Sequence, residues 1–244
     1  MIAEILIKLI GVKSFFKFKS LVLKIVERKV LPEANISYSQ FGEDMLLNFY
    51  FLRQQQGFYI DIGAYHPIHL SNTYHFYKKG WRGINIDATP GIMKRFNEMR
   101  PGDINIECAV GTEQKELDLY MYDMTAVNTI TLKGVEFVKE TFNQQPTAVV
   151  KVQCKPLSDL LDNYLPVGIT KIDFMTIDTE GADEEVLRSN DWVRYRPKYI
   201  CVEEHSKMDK LQNSSIWNFL QDKEYEFISK VGPTNFFVST KTNL

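Results

Sequence analysis

The sequence has little cysteine and histidine and no long uninterrupted apolar run. Its 244 residues contain three cysteines and four histidines. The cysteines lie far apart in apolar or alternating segments, which predicts buried thiols in a reducing compartment, not disulfides or zinc ligands. No window of about 18 residues is both apolar and free of charge, so a spanning helix is not expected. No small-residue cleavage pattern predicts secretion, and we expect a cytoplasmic protein.

The sequence also lacks a surplus of charge of one sign. Lys and Arg number 29 and Asp and Glu number 31, which gives a formal net charge of −2 at pH 7. Binding to a nucleic-acid backbone needs Lys and Arg clustered over one face. A nucleic-acid partner is therefore not expected.

The basic residues are concentrated in residues 1–31, where seven Lys or Arg accompany two Glu. At about 100° per residue, four basic side chains share one stripe: Lys13, Lys17, Lys24 and Arg28. The apolar side chains lie opposite. This leader is predicted to be an amphipathic helix that contacts the inner face of a membrane peripherally. Alternatively, it docks on its own domain or on a partner in a homo-oligomer. Both interpretations stay open.

The rest of the chain alternates strand and helix patterns of one α/β domain. Three short apolar runs with intervening helical segments predict a parallel βαβαβ half with right-handed crossovers. Two final strands joined through Gly232-Pro233 predict an antiparallel hairpin. We therefore expect a Rossmann-like, doubly wound, mostly parallel sheet over residues 39–244, with an insertion at about 123–147 that could form a substrate lid. The predicted strands are 58–63, 82–87, 104–110, 117–122, 149–154, 174–178, 199–203, 225–229 and 236–239.

The first predicted strand ends in the run DIGA (61–64), at the sheet edge where doubly wound folds bind ligands. Gly63 lets a ligand approach the backbone closely. The further glycines of a phosphate-binding GxGxxG loop are missing, because YHP (65–67) fills that space. This favours a nucleoside without phosphate, such as S-adenosylmethionine, whose ammonium group Asp61 would attract directly or through water. A turn-capping role for Asp61 is the alternative.

The next two strands end in residues suited to the rest of a nucleoside. Asp87 follows Gly63 by about 24 residues and can accept hydrogen bonds from both ribose hydroxyls. This feature fits NAD as well as S-adenosylmethionine. The third strand ends in small apolar residues around Ala109, which either admit an adenine ring or belong to the core.

Acidic residues end two later strands at the same predicted edge. Asp178 follows a buried run, and Glu203 and His205 follow the next one. Carboxylates that converge there could act as general base for a hydroxyl nucleophile or bind a divalent metal such as Mg²⁺, with Asp178 and Glu203 as ligands. The alternative is a set of solvated acids at strand ends and helix starts, which we favour only for residues 183–185.

Several blocks in this order resemble the FkbM-type methyltransferases. The blocks are SQFGED (39–44), FYIDIGAYHP (58–67), SNTYHFYKKGWRGINIDATP (71–90), AVG (109–111), DFMTIDTEGADEEVL (173–187) and YICVEEH (199–205). The resemblance implies a class I methyltransferase fold, S-adenosylmethionine as donor, and O-methylation in glycan or polyketide pathways. It also implies that Asp61, Gly63 and Asp87 contact the cofactor, with Gln40 and Asn72 near the crevice.

Together these features predict an S-adenosylmethionine-dependent O-methyltransferase that acts on a hydroxyl of a sugar or glycan. The basic leader suggests a lipid-linked acceptor. Two alternatives remain at this point: an NAD-dependent sugar-modifying oxidoreductase, and a nucleotide-binding module without catalytic activity.

Overall fold

The structure is a computed structural model that describes residues 35–241. The predicted leader lies outside the described residues, so both interpretations of it stay predictions. The helices are α1 (Glu43–Tyr50), α2 (Tyr74–Lys78), α3 (Ile92–Met99), α4 (Leu132–Phe142), α5 (Leu157–Tyr164), α6 (Asp183–Arg188) and α7 (Ser215–Asp222). In the range 35–241 no helix has the length and apolar character needed to cross a membrane.

The strands form one large and one small sheet. They are β1 (Phe58–Ile62), β2 (Arg82–Asp87), β3 (Ile104–Glu107), β4 (Ala109–Val110), β5 (Lys115–Met121), β6 (Ala148–Lys155), β7 (Phe174–Ile177), β8 (Tyr199–Glu203), β9 (Tyr225–Val231) and β10 (Thr234–Ser239). The large sheet has the order β3-β2-β1-β7-β8-β10-β9. β10 lies between β8 and β9 and runs antiparallel to both. The predicted mostly parallel sheet with a C-terminal antiparallel hairpin is confirmed.

The large sheet is buried on both faces, as expected for parallel strands flanked by helices. On one face, Ile60, Ile84 and Met175 pack in an aliphatic cluster with α5, α6 and α7. On the other, aromatic side chains pack beneath α1 and α2, among them Phe76 and Trp81, whose ring centroids are 4.9 Å apart. Burying side chains of this size stabilises the fold by roughly 1.5–3 kcal/mol each. The two clusters fix the strand ends on which the site depends.

The third predicted strand, 104–110, differs from the structure. It is broken at Cys108, whose N–H donates to the carbonyl of Asp87 while β3 pairs with β2. After the break, β4 leaves the large sheet and pairs with β6, and β6 pairs in turn with β5. The chain therefore changes partners at Cys108, although the apolar pattern continues through it.

The insertion (residues 123–147) is also more regular than its polar sequence indicated. A 3-10 turn over Thr125–Val127 is followed by α4, whose first turn is capped by the Thr131 side chain. Val138 packs on Val127 and Tyr122 in a small cluster of its own. The insertion is thus a folded element beside the sheet edge.

Candidate active site

A cleft opens at the carboxyl ends of the central strands. Its walls come from four strand ends and from the insertion. Its lining includes Gly63, Tyr65, Asp87, Thr89, Ala109, Asn128, Asp178 and Glu180. We refer to this space as the donor cleft.

Gly63 allows the ends of β1 and β7 to approach each other at the floor of the donor cleft. Its φ of +78° lies in the left-handed region, and a Cβ at this position would lie 1.6 Å from the carbonyl oxygen of Asp178. The Asp178 N–H donates to the carbonyl of Ile62 at 2.9 Å and holds the two strand ends together. Only glycine meets both requirements.

Asp87 lies at the end of β2 with both carboxylate oxygens anchored. Oδ2 accepts the backbone N–H of Tyr65 at 2.9 Å, and Oδ1 accepts that of Thr89 at 2.7 Å. Burial raises the pKa of Asp87, while these two N–H groups oppose the rise. A carboxylate offers about four lone-pair sites, so each oxygen keeps one for a ligand. This geometry suits the two neighbouring hydroxyls of a ribose.

Tyr65 reaches Asp87 because its backbone is left-handed, with φ +49°. Such a conformation in a bulky residue is strained and tends to occur at functional sites. The same is true of Glu180, at φ +53°, which also lines the donor cleft. Two strained non-glycine residues therefore flank one ligand-sized space.

The apolar wall of the donor cleft joins strand ends to the insertion. Ala109 lines the cleft and also packs on Leu119 and Cys154. The two interpretations of Ala109 are therefore compatible, since the residue is core on one side and cleft wall on the other. Asn128, from the insertion, donates through Nδ2 to Thr89 Oγ1 and accepts the N–H of Tyr122. The insertion is thereby hydrogen-bonded to the loop that follows Asp87.

Three carboxylates converge at the other end of the donor cleft. Asp178, Glu180 and Glu203 each offer an oxygen, and these oxygens all lie within 4.8 Å of one another. Burial, and then the neighbouring Glu203 carboxylate, raise the pKa of Asp178 well above its usual range. Burial and neighbouring acids raise the pKa of Glu180 to about 8 and that of Glu203 to about 8. The carboxylate cluster therefore holds protons at neutral pH.

A second, wider cleft of about 630 Å³ begins where the carboxylate cluster ends, and we refer to it as the acceptor cleft. Glu180 lines both clefts, and Glu203 lines the acceptor cleft. His205 stacks on Phe137 of α4 with ring centroids 4.7 Å apart, and its Nε2 lies 3.4 Å from Glu203 Oε1. Burial lowers the pKa of His205, so the imidazole is neutral at pH 7. The three predicted catalytic residues thus lie together.

The other predicted cofactor residues lie outside the donor-cleft lining. Asp61 is buried and accepts the hydroxyl of Thr73. Asn72 donates to Thr176 Oγ1 on β7, and Gln40 is exposed ahead of α1. Their contacts with a cofactor stay predictions.

Sequence reasoning did not single out Glu180, Tyr65, Thr89 or Asn128. Glu180 was visible only as one more acid in TEGADEE (179–185). Asp183, in contrast, accepts the N–H groups of Thr179 and Gly181 as a turn-capping residue. The two acids differ in their position in the folded structure, because Glu180 and not Asp183 belongs to the cluster with Asp178 and Glu203.

In the large sheet, one antiparallel strand lies next to the last position of an otherwise parallel set, and a cleft opens at the strand ends. This arrangement defines the class I methyltransferase fold. The sequence matches the Methyltransferase FkbM domain over residues 61–227, more than half of the chain. The chain belongs to this family and is an S-adenosylmethionine-dependent methyltransferase. The family assignment leaves no support for an NAD-dependent oxidoreductase.

Solved structures similar to the chain include other methyltransferases. A TehB-like SAM-dependent methyltransferase from Corynebacterium glutamicum is 10% identical, with 92% of this chain and 99% of that chain covered and a TM-score of 0.41. Fibrillarin from Aeropyrum pernix, with bound S-adenosyl-L-methionine, is 9% identical, with 82% and 74% covered and a TM-score of 0.42. An O-methyltransferase from Bacillus cereus is 11% identical, with 90% of each chain covered and a TM-score of 0.34. These similarities are too remote to indicate an acceptor. No curated protein matches the chain.

Proposed function

We propose that the protein transfers the methyl group of S-adenosylmethionine to a hydroxyl oxygen of a sugar or glycan. The observation that carries the proposal is the carboxylate cluster at the junction of the two clefts. A hydroxyl has a high pKa and needs a base at the moment of attack, whereas a carboxylate acceptor does not. The width and polar lining of the acceptor cleft suit a polyhydroxylated molecule.

In the proposed reaction, Glu203 accepts the hydroxyl proton as the oxygen attacks the methyl carbon. The bond between carbon and sulfur breaks, its electron pair stays on sulfur, and S-adenosylhomocysteine leaves. A base with a pKa near the working pH is well suited to this role, and the pKa of Glu203 is raised to about 8. The His205 imidazole, whose Nε2 lies 3.4 Å from Glu203 Oε1, orients this carboxylate. Burial and the nearby acids Glu180 and Asp183 raise the pKa of Glu203, whereas its hydrogen bond with Asp178 lowers it.

A divalent cation such as Mg²⁺ is the second candidate partner of the carboxylate cluster. Three oxygen ligands within 4.8 Å of one another form the hard donor set that this ion takes. Calorimetric titration of the protein with MgCl₂ at pH 8 tests it. Binding that disappears in Glu180→Gln supports a metal site, and the absence of heat leaves the cluster as a proton-sharing base.

A lipid-linked acceptor at the inner face of a membrane is the further part of this proposal. Its support is the basic amphipathic pattern of residues 1–31. Flotation with anionic vesicles, comparing the full chain with one lacking residues 1–31, tests it. Equal flotation of the two proteins refutes the membrane contact.

The central experiment measures S-adenosylhomocysteine formation on glycans extracted from cells that lack this protein. Glu203→Gln should lower kcat by about 10²-fold or more, since general base catalysis contributes roughly 10²–10⁴-fold. Glu98→Gln is the matched control, because Glu98 is an exposed carboxylate of α3 and lines neither cleft. A gain of one methylene on a product sugar should accompany turnover. Full activity of Glu203→Gln would refute the assignment of the base.

A further inference from the structure

A fully buried arginine lies behind the donor cleft and has no role in the chemistry described so far. Arg100 follows α3 and is 0% exposed. Its Nε donates to Asp103 Oδ2 at 2.8 Å, and one of its terminal nitrogens donates to Tyr59 Oη at 2.7 Å. The other terminal nitrogen donates to Thr73 Oγ1 at 3.0 Å. A buried guanidinium held on three sides is fixed in position and in charge.

The contact between Arg100 and Thr73 fixes the direction of one proton. A guanidinium can only donate hydrogen bonds, so the Thr73 hydroxyl accepts from Arg100. Its own proton then points to Asp61 Oδ2, 2.5 Å away. Arg100, Thr73 and Asp61 thus form a one-way chain in which the Asp61 carboxylate is the terminal acceptor.

Asp61 connects this hydrogen-bonded chain to β1, which is followed at once by Gly63 of the donor-cleft lining. It lies in β1 two residues before Gly63 and is paired in register with Thr176 of β7. The segment that carries Thr73 is tied to the same place, because Asn72 donates to Thr176 Oγ1. The family block SNT (71–73) therefore fastens the ends of β1 and β7 while directing a hydroxyl at Asp61.

We propose that Thr73 and Arg100 are positioning residues for donor binding, which hold the Asp61 carboxylate oriented and anionic for the ammonium group of S-adenosylmethionine. The inference rests on the proposed donor site. It assigns no contact with the donor to either residue, since both act through Asp61. Thr73 is 0% exposed, so it is not itself a ligand-facing group.

The charged groups around Asp61 explain why it needs this support. Burial raises its pKa to about 6, whereas Arg100 and the Thr73 hydroxyl lower it. Asp103 and Asp87 raise the pKa of Asp61 further. The other titratable groups that face Asp61 are Asp178 and Cys201. Arg100 is the one cation among these neighbours, and it is shared with Asp103.

The test is the affinity for S-adenosylhomocysteine, measured calorimetrically from pH 5.5 to 8.5. The probe carries the donor's ammonium group and is the product of the reaction. Thr73→Val keeps the side-chain shape but removes the hydroxyl, and Thr73→Ser restores it. Without the hydrogen bond to the charged Asp61 carboxylate, the affinity should begin to fall at a pH about one unit higher than in wild type as the solution is made more acidic. Thermal unfolding confirms that each variant is folded.

The proposal predicts that Thr73→Val binds several-fold more weakly than wild type near pH 6.5, that the difference disappears at pH 8.5, and that Thr73→Ser resembles wild type. A purely structural defect would persist at every pH. Two results together would overturn the role of Thr73 and Arg100. In the first, Asp61→Asn weakens binding of the probe. In the second, Thr73→Val either binds it like wild type or binds it more weakly by the same factor at every pH. Failure of the wild-type protein to bind the probe would instead overturn the donor site itself.

Discussion

Replacing Gly63 by alanine is expected to destabilise the protein and to abolish donor binding. The new Cβ would lie 1.6 Å from the Asp178 carbonyl oxygen and 2.6 Å from its carbonyl carbon. Ordinary contact needs about 3.5 Å, so the ends of β1 and β7 must separate by about 1.9 Å. The positive φ adds roughly 1–2 kcal/mol of backbone strain. Loss of the hydrogen bond from Asp178 to Ile62 adds about 1 kcal/mol, and disrupted packing adds roughly 1–3 kcal/mol.

Gly91→Ala provides a matched control for this prediction. Gly91 has φ +79°, against +78° for Gly63, and a Cβ there has no atom within 4 Å. Both variants therefore carry the same backbone strain, and only Gly63→Ala adds the steric conflict. Urea unfolding should show a loss of about 3–6 kcal/mol for Gly63→Ala and about 1–2 kcal/mol for Gly91→Ala. Equal stability of the two variants, with donor affinity intact, would refute the close approach of β1 to Asp178.

Three further predictions concern the acids of the site. Asp87→Ala should weaken S-adenosylhomocysteine binding by at least tenfold, because each charge-assisted hydrogen bond to the ribose contributes about 1.5–3 kcal/mol. Unchanged affinity in calorimetry would exclude Asp87 from the ribose site. The rate of methyl transfer should rise with pH up to about pH 8, because Glu203, with its pKa raised to about 8, must lose its proton to act as base. The free energy of unfolding should instead fall as pH rises. Between pH 4.5 and about 8, the folded state binds more protons than the unfolded state, because the pKa values of Glu180 and Glu203 are raised on folding. The stabilisation that these two protonated acids provide is therefore lost as pH rises through this range. A flat rate profile, or stability that increases across the window in urea unfolding, would contradict these pKa values.

The strands and the donor side of the site follow from local sequence. Strands β1, β2 and β8 are short apolar runs that end in an acid or in Asp and Gly, and the observed bounds agree closely with the predicted ones. Gly63 and Asp87 were identifiable because a strand-end glycine and a second-strand acid each have a specific chemical use. These features depend on one segment at a time.

The features that were missed depend on several segments at once. The break at Cys108 reflects a change of ladder partner from β2 to β6, which no apolar pattern records. Arg100 stands between Met99 and Pro101 and looks like a surface residue, although it is fully buried. Glu180 differs from the acids after it by its left-handed backbone and by its neighbours in space. Long-range packing decides each of these cases.

The most direct test of the account is a crystal structure of the full chain with S-adenosylhomocysteine. We expect the ribose hydroxyls on Asp87, the adenine against Ala109, and the sulfur on the side of Glu180 and Glu203, facing the acceptor cleft. Nucleoside bound anywhere other than between Asp87 and the carboxylate cluster would contradict the account.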